Sequence, residues 1–195
     1  MAEKDKQGKN MEPKEQHLQA SSDIRKMVFT SLFAALTAVG AYIEIPLPFS
    51  PVPLTLQVFF VLLAGSMLKS KWGGMSILVY LLLGIAGLPV FSGGGSGLGF
   101  LLGPTGGYLI GFVPAAYLIG WLLEAAEKHG KPGILTYALS MGAGVLVLYA
   151  CGTVQLMFVA ELGLKAALLL GALPFIPGEI IKTTVAAYIA ANYKL

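Results

Sequence analysis

Apolar stretches alternate along the chain with short polar, proline-rich or glycine-rich breaks. A helix needs about 20 apolar residues to cross the hydrocarbon core of a membrane. The pattern predicts six such spans, at about residues 27–45, 54–68, 72–88, 105–123, 133–159 and 177–193. Residues 166–173 are apolar but too few to cross before Pro174 and Pro177, so a short interfacial helix is expected there. Residues 1–25 are polar and read as a solvated, poorly ordered tail, with no apolar run placed to make a signal peptide. The expected architecture is an all-α, polytopic membrane protein: a tail over 1–25 and a six-helix transmembrane domain over 26–195.

Two breaks are unlike ordinary loops. Residues 46–53 carry four prolines in eight positions, which excludes a helix and makes a stiff, partly apolar segment. Residues 91–108 are dense in glycine and uncharged. Glycine lets backbone bend and approach a ligand closely, and irregular backbone at membrane depth is tolerated where it is buried or lines a cavity. A cavity wall is therefore expected here in preference to a merely flexible outer loop. Basic residues of short loops mark the cytoplasmic side. Arg25, Lys26, Lys69, Lys71, Lys128, Lys131 and Lys194 fall on one side, and Lys165 on the other. Both termini are then cytoplasmic. The proline loop, the glycine stretch and the start of the last span face outward, which predicts a pocket open to the exterior.

Composition agrees with the pattern. Of 195 residues, 56% are hydrophobic and 12% charged, about half the charged fraction of a soluble domain. The net charge of +3 is segregated and forms no dense patch for a nucleic-acid partner. Cys151 is the only cysteine and reads as a small packing residue. No phosphate-binding loop is present, since Gly130-Lys131 is followed by proline. Neither histidine lies in a span, so no histidine metal site is expected, and no nucleophile–base pair suggests an enzyme.

What remains is Glu179 and Lys182, three residues apart at the start of the last span. A charge at the centre of a membrane helix costs about 2.5–3.5 kcal/mol on insertion scales, and such residues are functional candidates by default. The spacing puts both on one helix face, and Glu179 falls in the first turn, where the helix dipole favours an anion. They either neutralise each other or hold a polar small molecule; the second reading is preferred. Ala34 and Ala38 in the first span are spaced for close helix approach, either within the bundle or to a partner. A binder with no energy source of its own implies a partner that supplies it.

Four segments in order carry a family resemblance: Pro48-Phe49-Ser50-Pro51-Val52-Pro53, Gly87-Leu88-Pro89-Val90-Phe91, Gly103-Pro104-Thr105-Gly106-Gly107-Tyr108, and Pro174-Phe175-Ile176-Pro177-Gly178-Glu179-Ile180-Ile181-Lys182. Across residues 27–193 the chain resembles the BioY family, the biotin-specific substrate-binding components of energy-coupling-factor transporters. The resemblance implies a six-helix protein that binds biotin from outside. It also implies partners: a transmembrane coupling subunit and two ABC-type ATPases that use ATP, with no cofactor in this chain. The family's acidic position before the lysine is often aspartate, where this chain has Glu179. The ligand-binding candidates are Glu179, Lys182, Phe49, Gln57, Phe91, Ser92, Gly94, Gly95, Ser96 and Tyr108; Ala34 and Ala38 are the expected contacts with the coupling subunit. Glu179 would accept from a ureido N–H, and Lys182 would donate to the ureido oxygen or to the carboxylate. A substrate component for another vitamin, a stand-alone carrier and a membrane enzyme are the alternatives.

Overall fold

The computed structural model describes the backbone of residues 13–193 and side chains from residue 21 onward. Helix α1 covers Pro13–Tyr42. A two-residue strand, β1 (Glu44–Ile45), pairs antiparallel with β2 (Leu54–Thr55). Then follow α2 (Gln57–Ile85), a short α3 (Leu98–Leu101), α4 (Gly106–Glu127), α5 (Ile134–Val159), α6 (Leu164–Gly171) and α7 (Ile176–Asn192). Helix α2 packs most extensively on α4 and α1, and α4 on α5, while α7 closes the bundle against α5 and α2. Among the described residues, four stretches are long and apolar enough to cross a membrane: Ser21–Tyr42, Gly106–Glu127, Ile134–Val159 and Leu164–Asn192.

The two remaining crossings come from α2, which folds back on itself at Lys69. That residue alone breaks the helix, at φ 70° and ψ −176°. The two arms lie close: a Cβ placed on Gly73 would sit 2.9 Å from the Gly65 Cα. In a straight helix those residues would be about 12 Å apart, at 1.5 Å rise per residue. The turn needs an equally close neighbour, because a Cβ on Gly120 of α4 would lie 2.1 Å from the Ser70 nitrogen. Two carboxylates of α4 hold the turn: Glu127 pairs with Lys69, and Glu124 accepts from the Ser70 hydroxyl at 2.6 Å. The first arm, 57–68, spans only about 18 Å against a hydrocarbon core of about 30 Å. The strand pair and the proline loop directly precede that arm, so irregular backbone lies beside it.

Two expectations need correction here. The polar stretch read as part of a tail is helical from Pro13, continuous with α1; the earlier part of that stretch lies outside the described residues. Ala34 is also not available to a partner. It is 2% exposed, on the buried face of α1 with Phe33, Thr37 and Ala41, and that helix is tied to α2 where Ser76 donates to the Thr30 carbonyl at 2.7 Å. Ala38 is half-buried against the core. The small residues here permit packing within the bundle.

Backbone approach at Gly120 makes a direct prediction. Gly120→Ala forces α4 away from the turn and is expected to cost about 1–3 kcal/mol, as overpacking does. Gly142→Ala meets nothing within 4 Å and should leave stability unchanged or raise it by up to about 1 kcal/mol through helix propensity. Melting curves of the two variants in detergent check this; equal effects would refute the close contact.

Candidate ligand-binding site

The chain after α6 passes through a 3-10 turn, Leu173–Phe175, into α7. Pro177 lies in the first turn of that helix, where its missing N–H is no loss, and Glu179 follows in the same turn. Glu179 is 5% exposed and Lys182 9%. Glu179 Oε1 pairs with the Lys182 ammonium and accepts from the Tyr149 hydroxyl of α5 at 3.2 Å. Lys182 also donates to the Thr55 carbonyl of β2 at 3.1 Å. That ties the last helix to the strand pair beside the proline loop. The loop is itself anchored, because the Ser50 hydroxyl donates to the Leu170 carbonyl of α6 at 2.7 Å.

Glu179 Oε2 is buried and has no hydrogen-bond partner among the described residues. An ammonium has three donors, and two of those on Lys182 are engaged. The pair thus has one unmet acceptor and one donor to spare, and both residues line a cavity. That cavity holds about 470 Å³ of space between atoms, including the part continuous with solvent. Its walls come from the proline loop and β2 (Val52, Pro53, Leu54, Thr55), α2 (Gln57, Val58), Ser92, α4 (Thr105 at its start, Tyr108, Leu109, Phe112), α5 (Leu148, Tyr149), Phe175 and α7. Tyr108 and Tyr149 meet edge to face at 5.8 Å between centroids, and Phe175 continues the aromatic wall 6.2 Å from Tyr149. The arrangement is a largely apolar chamber with a few polar groups converging at one end, the form that small-molecule sites take.

Of the residues expected from sequence, Glu179, Lys182, Gln57, Ser92 and Tyr108 line this cavity. Phe49, Phe91, Gly94, Gly95 and Ser96 do not. Phe49 is 56% exposed on the proline loop. Phe91 is fully buried; its ring lies against the Gly84 backbone, edge-on to Tyr80 and stacked on Phe100. A Cβ at Gly95 would meet the Phe100 ring, so that glycine serves core packing. The glycine stretch supports the cavity from behind and contributes Ser92 to its wall. Gly93 and Gly94 turn it through positive φ, and Gly97 N–H donates to the Gly84 carbonyl at 2.7 Å. Gln155 of α5 donates to the Leu101 and Gly103 carbonyls at 2.6 and 2.8 Å, fixing its far end.

Tyr149, Phe112 and the Thr55 carbonyl were not anticipated. Tyr149 had a readable signal, since a hydroxyl in the middle of an apolar span needs a partner. Thr55 acts through its backbone, which side-chain chemistry does not announce.

A bundle of membrane helices closed around a desolvated ion pair that faces a small chamber, with neither metal-ligand cluster nor phosphate-binding loop among the described residues, defines a membrane protein built to hold a small molecule. The chain belongs to the BioY family, whose model matches residues 11–195. It is 42% identical over 171 residues to the biotin transporter BioY of Thermotoga maritima, covering 88% of this chain and 96% of that one. It is 43% identical over 166 residues to a probable biotin transporter BioY of Pyrococcus horikoshii, covering 85% and 94%. The fold matches the crystal structure of an S-component for biotin from an ECF-type ABC transporter with a TM-score of 0.83 and 29% identity, over 88% of this chain and 92% of that one.

The ion pair predicts an asymmetry in stability. Glu179→Gln or Lys182→Met alone leaves one charge buried without its partner and should cost about 3–5 kcal/mol. The double variant removes both charges and is expected to melt close to the wild type. Thermal unfolding of the three ligand-free variants measures it; additive losses in the double variant would mean the two groups act separately.

Proposed function

We propose that this protein binds biotin from the outer side of the membrane and delivers it across as the substrate-binding component of an energy-coupling-factor transporter. The observation that carries this reading is Glu179 Oε2, a buried carboxylate oxygen without a donor, beside the partly engaged ammonium of Lys182. A buried acceptor without a partner costs about 1–3 kcal/mol, more when charged; a ligand N–H relieves that cost. A ureido ring carries N–H groups on either side of a carbonyl. With one N–H on Glu179 Oε2, the carbonyl oxygen falls to Lys182, which sits within a hydrogen bond of Glu179. Tyr108, Phe112, Tyr149 and Phe175 then cover the apolar ring and chain.

Orientation and partners belong to the same proposal. Arg25, Lys26 and Lys69 gather around one groove at the end of the bundle that holds the α2 turn, and Glu179 lies beside the strand pair. Placing the basic end in the cytoplasm opens the ligand chamber outward and puts both termini inside. Energy comes from a transmembrane coupling subunit and two ABC-type ATPases that use ATP. On α1, the coupling subunit meets the lipid-facing side with Leu32, Ala35 and Val39, beside half-buried Ala38, in place of buried Ala34.

Isothermal titration of the purified protein with biotin tests the reading. Binding is expected without nucleotide and unchanged by ATP; absence of binding, or strict dependence on ATP, would contradict it. Glu179→Gln and Lys182→Met are each expected to weaken binding by about 1.5–3 kcal/mol, roughly ten- to 150-fold, through the lost charge-assisted bond. The double variant should bind worse than either while remaining folded.

A further inference from the structure

Gln57 opens α2 and is 2% exposed, yet it lines the ligand chamber. Its Nε2 donates to the Tyr80 hydroxyl, which lies on the second arm of the same helix and is fully buried. The Tyr80 hydroxyl in turn donates to the Val90 carbonyl at 3.1 Å. A hydroxyl has one proton, and a carbonyl can only accept. With its proton on Val90, Tyr80 can offer Gln57 nothing but a lone pair. The donors of an amide are all on its nitrogen, so Nε2 must be the end that faces Tyr80, and Oε1 is the end left over. Gln57 Oε1 has no protein donor among the described residues, and Gln57 lines the chamber, so this oxygen is the amide atom left for a ligand there. Phe91 holds the Tyr80 ring edge-on at 5.7 Å between centroids, and Val90 precedes it on the backbone. The segment leading into the glycine stretch thereby sets the direction of an amide on the chamber wall.

We propose that Tyr80 is a positioning residue that fixes the Gln57 amide with its carbonyl oxygen toward the ligand, and that Gln57 accepts the second N–H of a cyclic urea. This rests on the biotin reading above and deepens it. Lys182 belongs to the same wall: it pairs with Glu179 and donates to the carbonyl of Thr55, two residues before Gln57. The wall thus carries two acceptors, Glu179 Oε2 and Gln57 Oε1, and the Lys182 donor, which match in number and kind the two N–H groups and one C=O of a cyclic urea. A carboxamide at this place would ordinarily be ambiguous, because it can turn and present either end. The bond to Tyr80 removes that ambiguity and makes the site reject ligands that carry an acceptor where the urea has its second N–H.

The test uses biotin and its two cyclic carbamate analogues, each with one ureido N–H replaced by oxygen, titrated into the full-length protein. Wild type is expected to bind both analogues at least about tenfold more weakly than biotin, one through Glu179 and the other through Gln57. Gln57→Leu should abolish discrimination against one analogue and keep it against the other. Tyr80→Phe frees the amide to turn and should shrink that same discrimination selectively, whereas a merely structural role would weaken all three ligands alike. Gln57→Glu, which has acceptors only, should keep the discrimination. Wild-type tolerance of either analogue, or an unchanged ratio in Tyr80→Phe, overturns the proposal, and the wild-type arm stands even if a variant fails to fold. Failure of biotin itself to bind would instead overturn the underlying functional reading.

Discussion

The structure depends on keeping two charges away from water at the start of α7. Burial of an ion pair pays only when the remaining donors and acceptors are met. Here they are met in part. Tyr149 and the Thr55 carbonyl supplement the Glu179–Lys182 contact, and one carboxylate oxygen remains open. Those contacts reach α5 and β2, so the pair joins the last helix to the middle of the bundle and to the edge of the proline loop. The site is thus held by the same bonds that close the fold.

The irregular segments follow from the same constraint. Backbone that is not helical needs partners inside the membrane, and each irregular segment has them. The proline loop is closed by the two-residue ladder and by Ser50 on Leu170. The glycine stretch is pinned by Gly97 on Gly84, by Val90 accepting from Tyr80, and by Gln155 at its far end. At the opposite end, the turn at Lys69 is held by two carboxylates of α4 and by the lack of a side chain at Gly120. A hydrogen-bonded framework around a polar pair is the form expected of a site that binds a preorganised ring.

The helical spans were legible because hydropathy over membrane-thickness lengths is a strong signal, and Glu179 and Lys182 because charge in an apolar helix is costly. Gln57, Ser92 and Tyr108, also candidates from the sequence, line the same cavity. The aromatics divided by geometry that sequence does not carry. Phe91 and Phe49 both neighbour breaks, but one ring rests on the Gly84 backbone while the other projects from the loop. The turn within α2 contains neither proline nor glycine at its break, so only the lysines around it marked the boundary. Ala34 had the spacing of a contact residue, and spacing does not distinguish a partner helix from α2 of the same chain. The part of α1 before residue 26 has no apolar periodicity to announce it.

The central claim is that the open oxygen of Glu179 awaits a ligand donor. A crystal structure of the protein with biotin tests it most directly. The account predicts a ureido nitrogen within about 3 Å of Glu179 Oε2, with the Glu179–Lys182 contact retained. Biotin bound elsewhere, or bound in this chamber with Oε2 still lacking a donor, would contradict it.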